Sequence, residues 1–174
     1  GITKFCVHPE EWLRKKTRVG GTKQLNLKNI RQLRPDLIIA NKEENVKEQV
    51  EELAAAYPVF VTDVNNFEEA LLMIEQLGSL TGKNEQAAEL CAAVIKKFAE
   101  FSPGCHTSLK VCYLIWNDPY MTTGGDTFIS DMLCKAGFRN MFQQQQRYPQ
   151  VSINEIKNSG AEIILLSSEP YPFK

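Results

Sequence analysis

Histidine is nearly absent from this sequence, which has only His8 and His106 among 174 residues. Zinc and manganese sites usually combine several histidines with carboxylates, so the sequence predicts no bare metal site. A thiol nucleophile would need Cys6 beside His8 or Cys105 beside His106, and neither pair has an evident orienting acid. We therefore expect that the protein is not an enzyme.

Paired cysteine motifs are also missing. The five cysteines form no CxxC pair, and their odd number prevents complete disulfide pairing within the chain. Cys91 and Cys134 fall on apolar faces of predicted helices and Cys112 falls in a predicted strand, so we expect most of the thiols to be buried. This pattern favours either the reducing cytoplasm or a cell-envelope protein without disulfides.

Neither sign of charge dominates, because 20 basic and 21 acidic residues are mixed along the chain. The sequence has no basic stripe of the kind that would indicate a nucleic-acid partner. We expect the protein to be a monomer. The longest apolar runs have the length of β-strands rather than of transmembrane helices. The hydrophobic content of 43% suffices for one sizeable core or two small ones.

Four short apolar runs, each flanked by helical patterns, predict buried parallel strands at 37–40, 58–62, 110–116 and 163–166. Two helix starts have local signals. Asp126 resembles an N-cap, with Gly137 as the stop, and Ser152 with Glu155 forms a capping box. The chain is therefore predicted to be an α/β protein.

The middle of the chain has a different pattern. Residues 66–101 read as helix with a break at 78–82 and no strand, and Ser102-Pro103-Gly104 stops the second piece. The predicted organisation is an α/β lobe at 1–65, a helical segment at 66–104 with a long helix at about 84–101, and an α/β lobe at 105–174. A helix of about 18 residues spans about 27 Å, which is long enough to contact two lobes.

One helix–turn–strand unit occurs twice. LKNIRQLRPDLIIANKEE starts at Leu27 and INEIKNSGAEIILLSSE starts at Ile153, a gapless offset of 153 − 27 = 126. This register favours an internal duplication with one copy in each lobe, although helix–strand units are common enough for a chance match. In open parallel sheets, ligands bind outside the carboxyl ends of the strands, so the loops that follow them are candidate binding loops.

With these elements placed, the chain resembles the helical-backbone (class III) substrate-binding proteins of ABC importers, in the branch that binds vitamin B12, heme and ferric siderophores. The resemblance rests on an ordered set of segments: GITKFCVHPE, RVGGTKQLNLKNIRQLRPDLIIANKEEN, LIWNDPYMTTGGDTFISDML, RYPQVSINEI and IILLSSEPYPF. It implies an α/β fold of two lobes with mainly parallel sheets bridged by one long helix. It also implies further elements at both ends, so the chain is expected to be truncated there.

The resemblance implies a function as well. Such a protein captures a metal chelate (a ferric siderophore, cobalamin or heme) in the cleft between its lobes and delivers it to an ABC permease from the periplasm or cell envelope. It needs no covalent cofactor. Two alternatives stay open: a chelate-binding protein of the same fold that serves no transporter, and a small α/β enzyme that uses the 116–127 loop.

Aromatic residues in or beside the predicted loops are the main binding candidates, because flat rings stack on corrins, porphyrins and catecholates. By resemblance, Phe5 belongs to the first lobe's set, but Thr22 and Asn41 stand where vitamin B12 receptors have tryptophans. Arg147 and Lys23 could pair with ligand carboxylates or phosphates. The alternatives are that each aromatic packs under its own loop and that Arg147 is a solvated charge. The candidate ligand-binding residues are Phe5, His8, Trp116, Tyr120, Arg147, Tyr148 and Tyr171.

Loop aromatics of this kind are expected to have few neighbours in the core, so truncating Trp116 or Tyr120 should leave stability nearly unchanged.

Docking on a permease is a separate question. Related receptors carry one exposed glutamate on each lobe, and these pair with permease arginines. The internal repeat locates the two positions at Lys28 and Asn154, which are again 154 − 28 = 126 apart, and neither is acidic. Either nearby acids such as Glu155 take over, or this chain does not dock on a conventional permease.

Overall fold

The computed structural model describes residues 1–101, 109–168 and 173. The chain divides into two compact units, Gly1–Asp63 (unit 1) and Val64–Lys174 (unit 2). No helix in the described ranges combines the length and the apolar character of a membrane span. The stop predicted at Ser102-Pro103-Gly104 lies outside the described residues.

Unit 1 is a small α/β unit built on two parallel strands. Its elements, in chain order, are α1 (Glu10–Lys15), α2 (Leu27–Leu33), β1 (Ile38–Asn41), α3 (Lys47–Ala54) and β2 (Val59–Thr62). β1 pairs with β2 in parallel, from Ile38 opposite Val59 to Asn41 opposite Thr62. A parallel pair needs a crossover connection, which α3 supplies, and Leu53 of α3 is 1% exposed.

Unit 2 begins with two long helices and continues as an α/β sheet. Its elements are α4 (Phe67–Thr81), α5 (Asn84–Glu100), β3 (Lys110–Trp116), β4 (Met121–Thr122), α6 (Phe128–Lys135), β5 (Arg139–Asn140), α7 (Ile153–Asn158) and β6 (Ile163–Leu166). β3 is central, with β6 and β5 parallel to it and β4 antiparallel. Its core cluster contains Cys112, Leu114, Phe142, Val151 and Ile156.

The predicted α/β architecture is confirmed. The predicted bounds of β3 and β6 match the observed strands, while β1 begins and ends one residue later than predicted and β2 begins one residue later. The long helix predicted at 84–101 is observed as α5. The two-residue strands β4 and β5 were not predicted, because runs so short have no periodicity to detect.

The break between α4 and α5 is narrower than the sequence indicated. Helix continues through Gly78 and ends with Gly82 at φ +67°. A Cβ on Gly78 would lie 2.4 Å from the Cβ of Ala87 on α5, so this glycine allows close helix packing rather than a break. The rings of Phe67 and Phe98 also meet, with centroids 4.2 Å apart.

The two copies of the sequence repeat, 126 residues apart, start their helices in the same way. The N-cap side chain of Asn26 accepts the Asn29 N–H at the start of α2, and that of Ser152 accepts the Glu155 N–H at the start of α7. The predicted capping box of Ser152 and Glu155 is confirmed.

The two copies also share their burial and their turn. Ile30 and Ile156, one in each copy, are 6% and 9% exposed. The chain then turns through a positive φ at Arg34 (46°) and at Gly160 (75°). The same local structure therefore forms twice, once in each unit.

The expected burial of the thiols is observed only in part. Cys91 and Cys112 are buried, Cys6 is half-buried, but Cys134 is exposed, so its predicted place on a buried helix face is wrong. Leu133, its neighbour on α6, points into the core instead and is 7% exposed. Cys105 lies outside the described residues.

We expect native Cys134 to react rapidly with N-ethylmaleimide and Cys112 to react much more slowly. Burial raises the pKa of the Cys112 thiol, against a smaller opposing effect of its contact with Thr122, so its thiolate is scarce at neutral pH. Mass spectrometry of the labelled peptides gives both rates, with buried Cys91 as the control. Equal labelling of Cys112 and Cys134 in the native protein would contradict the packing described.

The capping box makes a second prediction about α7. The hydroxyl and the backbone N–H of Ser152 lower the pKa of Glu155. The ionised Glu155 therefore stabilises the fold above its unfolded pKa, and this contribution is lost as the pH falls through the lower folded value. We expect Ser152→Ala to raise the pKa of Glu155 in an NMR titration and to cost about 1 kcal/mol at neutral pH.

The repeat provides the matched control. Asn26→Ala removes the equivalent cap of α2, where Asn29 occupies the position of the acid. It should cost a similar free energy of unfolding while leaving the pKa of Glu155 unchanged. A Glu155 pKa that is the same in the unmodified protein and in Ser152→Ala would show that the capping box does not form.

Candidate functional site

The first candidate region lies near the start of unit 1 and is defined by Phe5. Residues 2–4 pair with residues 17–20, and the Lys4 N–H donates to the Gly20 carbonyl at 2.8 Å. The next residue, Phe5, is 61% exposed. The Lys4 ammonium lies 5.0 Å from the centroid of the Phe5 ring. An exposed ring and a cation thus stand together at the end of a paired segment.

A cavity of about 550 Å³ lies beside this ring. Its lining contains three cationic side chains and no carboxylate: the cations are Lys4, Arg18 and Lys23. The Lys23 ammonium donates to the Glu43 carbonyl. A cavity with an aromatic wall and a cationic lining suits a flat ligand that carries carboxylate or phosphate groups. Phe5, Lys4 and this cavity are called the unit 1 rim below.

His8 does not line this cavity. It is exposed, and the thiol of Cys6 contacts its carbonyl oxygen at 3.7 Å rather than its ring. The structure therefore gives no support for a Cys6–His8 catalytic pair. The second pair considered, Cys105 with His106, lies outside the described residues.

The second candidate region is in unit 2, where β3 ends. Trp116 is its last residue and is 39% exposed. Tyr120 follows in the turn before β4 and packs against the buried core cluster. The expectation that loop aromatics have few core neighbours is therefore wrong for Tyr120, because β3 and β4 pair antiparallel and return the chain over the core.

Two loops of unit 2 are joined by backbone hydrogen bonds. Thr122 and Gly124 donate to the carbonyls of Pro149 and Arg147, at 3.0 and 2.7 Å, and the Val151 N–H donates to the Tyr120 carbonyl at 2.9 Å. These bonds run along residues 120–125 and 145–151. Tyr120, Arg147 and Tyr148 belong to these two joined segments, and together with Trp116 they are called the unit 2 rim below.

Two glycines allow the loops to come this close. A Cβ on Gly124 would lie 2.3 Å from the Gln145 carbonyl oxygen, and one on Gly125 would lie 2.1 Å from that of Gln143. Both contacts are with main-chain atoms, which cannot swing aside. The Gly-Gly pair is therefore explained by loop packing.

The helix that follows begins one residue later than predicted. Its N-cap is Thr127, whose hydroxyl accepts the Ser130 N–H, so the assignment of Asp126 as N-cap is wrong. Asp126 instead accepts the backbone N–H of Arg147 at 2.5 Å. Because Thr127 already caps the helix, the Asp126 carboxylate is available to link the two loops through Arg147.

Arg147 is held in place through both its backbone and its guanidinium group. Its backbone has φ +53°, a left-handed conformation that its N–H bond to Asp126 helps to hold. Its Nη1 donates to Asn65 Oδ1 at 2.9 Å, and its Nε lies 3.8 Å from Asp126 Oδ2. The side chain is 41% exposed, so it is an oriented cation at the surface rather than a freely solvated one.

The 116–127 loop was the segment considered for an enzymatic alternative. It contains no histidine or cysteine, and its acids are Asp118 and Asp126. Within the described ranges, no three His, Cys, Asp or Glu side chains are grouped so as to hold a metal ion.

The sequence reasoning missed Lys4 and Arg18. Lys4 and Arg18 reach one cavity only because residues 2–4 pair with residues 17–20, and no local sequence pattern predicts that pairing. The candidate Tyr171 lies outside the described residues.

Comparison with solved structures agrees with this architecture. The periplasmic vitamin B12-binding protein of Vibrio cholerae matches with a TM-score of 0.79 at 21% identity, over 95% of this chain and 66% of that one. A periplasmic heme-binding protein from Roseiflexus sp. RS-1 matches with a TM-score of 0.80 at 19% identity, over the same shares of the two chains. At these identities the likeness shows the fold alone.

Comparison of sequences gives the family. The vitamin B12-binding protein of Photorhabdus laumondii is 30% identical over 158 residues, which are 88% of this chain and 58% of that protein. That of Pectobacterium carotovorum is 25% identical over 178 residues, 97% of this chain and 63% of that protein. The chain thus spans about three fifths of these relatives. The family model described as periplasmic binding protein matches residues 1–171, and this chain belongs to that family.

Proposed function

We propose that this chain is the ligand-capturing component of an ABC importer and binds a chelate of the cobalamin, heme or ferric-siderophore type. The observation that carries the proposal is the unit 2 rim, in which two loops joined by backbone hydrogen bonds carry Tyr120, Tyr148 and an oriented Arg147, with Trp116 at the end of β3. Family membership supports the same function, and relatives named as vitamin B12-binding proteins support the ligand class.

The chemistry of the rims matches that of the ligands. Corrin and porphyrin rings are flat and largely apolar, so they gain from stacking on exposed aromatic rings. Heme and many siderophores also carry anionic groups, which the cations Lys4 and Arg147 could pair with. Thr22 of the unit 1 cavity offers a hydroxyl at a position where, by resemblance, vitamin B12 receptors have a tryptophan. This difference favours heme or a siderophore over cobalamin.

The first test is ligand binding by the chain itself. We expect saturable, one-to-one binding of at least one of hemin, cyanocobalamin and ferrichrome, followed by visible absorbance. Trp116→Ala should weaken that binding by about 1–3 kcal/mol, because an exposed stacking ring is lost. This corresponds to roughly 5-fold to 150-fold in Kd.

Trp12→Ala is the matched control, because Trp12 is a similarly exposed tryptophan (44%) on α1 that does not line the unit 1 cavity. It should leave the Kd unchanged. Stability should barely change in either variant, whereas Tyr120→Ala should lose stability as well as affinity because Tyr120 packs on the core. Equal affinities of Trp116→Ala and Trp12→Ala would remove Trp116 from the site.

Docking on a permease is the less direct part of the proposal. Lys28 and Asn154 are each the second residue of their helices, α2 and α7, and both are exposed. Glu155 is a poor substitute for an acid at Asn154, because its carboxylate already accepts the Ser152 N–H. The charge reversal at Lys28 favours a second candidate function, a chelate-binding protein that does not serve a conventional importer.

A charge-restoring variant separates the two functions. We expect Lys28→Glu with Asn154→Glu to bind a reconstituted vitamin B12 permease at least about tenfold more tightly, or about 1.4 kcal/mol, because each acid can pair with a permease arginine. Lys157→Glu, an exposed change on the same helix as Asn154, is the control and should have little effect. Tight permease binding by the unmodified chain, with no gain in the double variant, would contradict the charge argument.

A further inference from the structure

One buried side chain, Asn140, bonds to both of the segments that carry the unit 2 rim. Asn140 is the last residue of β5 and is 4% exposed. Its Nδ2 donates to the Thr123 carbonyl at 2.8 Å and to the Ser130 hydroxyl at 3.1 Å. Its Oδ1 accepts the Phe142 N–H at 3.0 Å. One carboxamide therefore joins the 120–125 loop, α6 and the start of the segment that leads to residue 147.

Only a carboxamide satisfies this arrangement. Two acceptors face Nδ2 and one donor faces Oδ1, so the side chain uses both of its N–H groups and its oxygen. Thr123, Ser130 and Phe142 are all buried, and a polar group buried among them costs free energy unless its hydrogen bonds are made. A carboxylate of the same shape would offer no donor to the two oxygens.

The bonds of Asn140 continue into the rim through the main chain. Thr123 directly precedes Gly124, whose N–H donates to the Arg147 carbonyl at 2.7 Å. Phe142 belongs to the core cluster, and its carbonyl accepts the Gln145 N–H at 2.9 Å. The carboxamide therefore holds each rim segment within a few residues of the bonds that join the two segments.

The close contact between the segments transmits a shift from one to the other. The space beside Gly124 and Gly125 is filled by the main chain of residues 143–146, which lies too close to admit a Cβ. Close-packed main-chain atoms cannot absorb a displacement, so a shift of Thr123 moves the 143–147 segment as well. Arg147 lies at the end of that segment, with its N–H on Asp126 and its guanidinium on Asn65.

We propose that Asn140 is a positioning residue of the ligand site. Its carboxamide sets the spacing of the two rim segments and the orientation of Arg147, and through them the affinity for the chelate. The affinity part rests on the function proposed above. The competing explanation is a side chain that only stabilises the core of unit 2. The two explanations differ because lost positioning is local to the rim, whereas lost stability eases the opening of the whole unit.

The first test needs no ligand. Asn140→Asp keeps the shape of the side chain and removes its donors. We expect the amides of Gly124 and Gly125 to exchange hydrogen at least about tenfold faster than in the unmodified chain, because a carboxylate then faces two buried oxygens. In NMR spectra of the folded variant, the Nε–H signal of Arg147 should move toward that of a solvated arginine.

Two controls separate positioning from stability and from burial. Ile156→Ala leaves a cavity in the same core cluster and keeps the carboxamide with its three partners. It should lower the Tm while leaving the rim amides and the Arg147 signal nearly unchanged. Thr123→Val changes a loop residue at 0% exposure whose hydroxyl has no partner among the described residues, and it keeps the main-chain carbonyl that Asn140 holds. It should leave all these signals unchanged.

The second test measures affinity with hemin, cyanocobalamin and ferrichrome. For whichever of them the unmodified chain binds, Asn140→Asp should raise the Kd roughly tenfold, because displaced rim side chains must be ordered again on binding. Ile156→Ala and Thr123→Val should leave the Kd nearly unchanged. If the unmodified chain binds none of the three, the proposed function fails, while the ligand-free measurements still decide whether Asn140 positions the rim.

Ser130→Ala replaces Asn140→Asp if the latter does not fold. It removes one acceptor of the carboxamide and should speed exchange at Gly124 and Gly125 about fivefold. Three results would overturn the proposal. They are equal effects of the Asn140 or Ser130 variant and of Ile156→Ala on the rim amides, an Arg147 signal that does not move, and an unchanged Kd in a variant whose rim amides exchange faster.

Discussion

Parallel pairing of short buried strands is the constraint on which both units depend. β1 with β2 and β3 with β6 run in the same direction, so each connection must cross back through a helix and the loops after the strands leave from one edge of each sheet. This places Asn41 beside Thr62 in unit 1 and Trp116 near the end of β6 in unit 2. Parallel pairing alone therefore brings the polar and aromatic groups that follow the strands to those edges.

Most of this architecture could be predicted from the sequence, because its longer strands are continuous apolar runs flanked by helical patterns. β3 and β6 have the predicted bounds, and the Ser152–Glu155 capping box is present. The errors occur where a tertiary contact decides. Gly78 suggested a helix break because glycine is a poor helix former, but close packing on Ala87 explains it.

The candidate site was less predictable than the fold. The aromatic residues could be placed in loops after strands, but the sequence does not show that Tyr120 packs on the core or that Asp126 is committed to Arg147. Lys4 and Arg18 come together only through pairing of residues 2–4 with 17–20. Such groupings are made by contacts between separate segments, for which a single sequence has no local signal.

The Gly124–Gly125 pair has a consequence for how binding specificity can change. Any side chain at these two positions would push the 143–147 segment away, since the nearest atoms are main-chain oxygens 2.3 and 2.1 Å from the added Cβ. Substitutions there would disturb every rim residue at once, while changes at Trp116 or Tyr148 alter one contact each. A lineage adapting to a new ligand could therefore change the aromatic residues one at a time, provided that both glycines are kept.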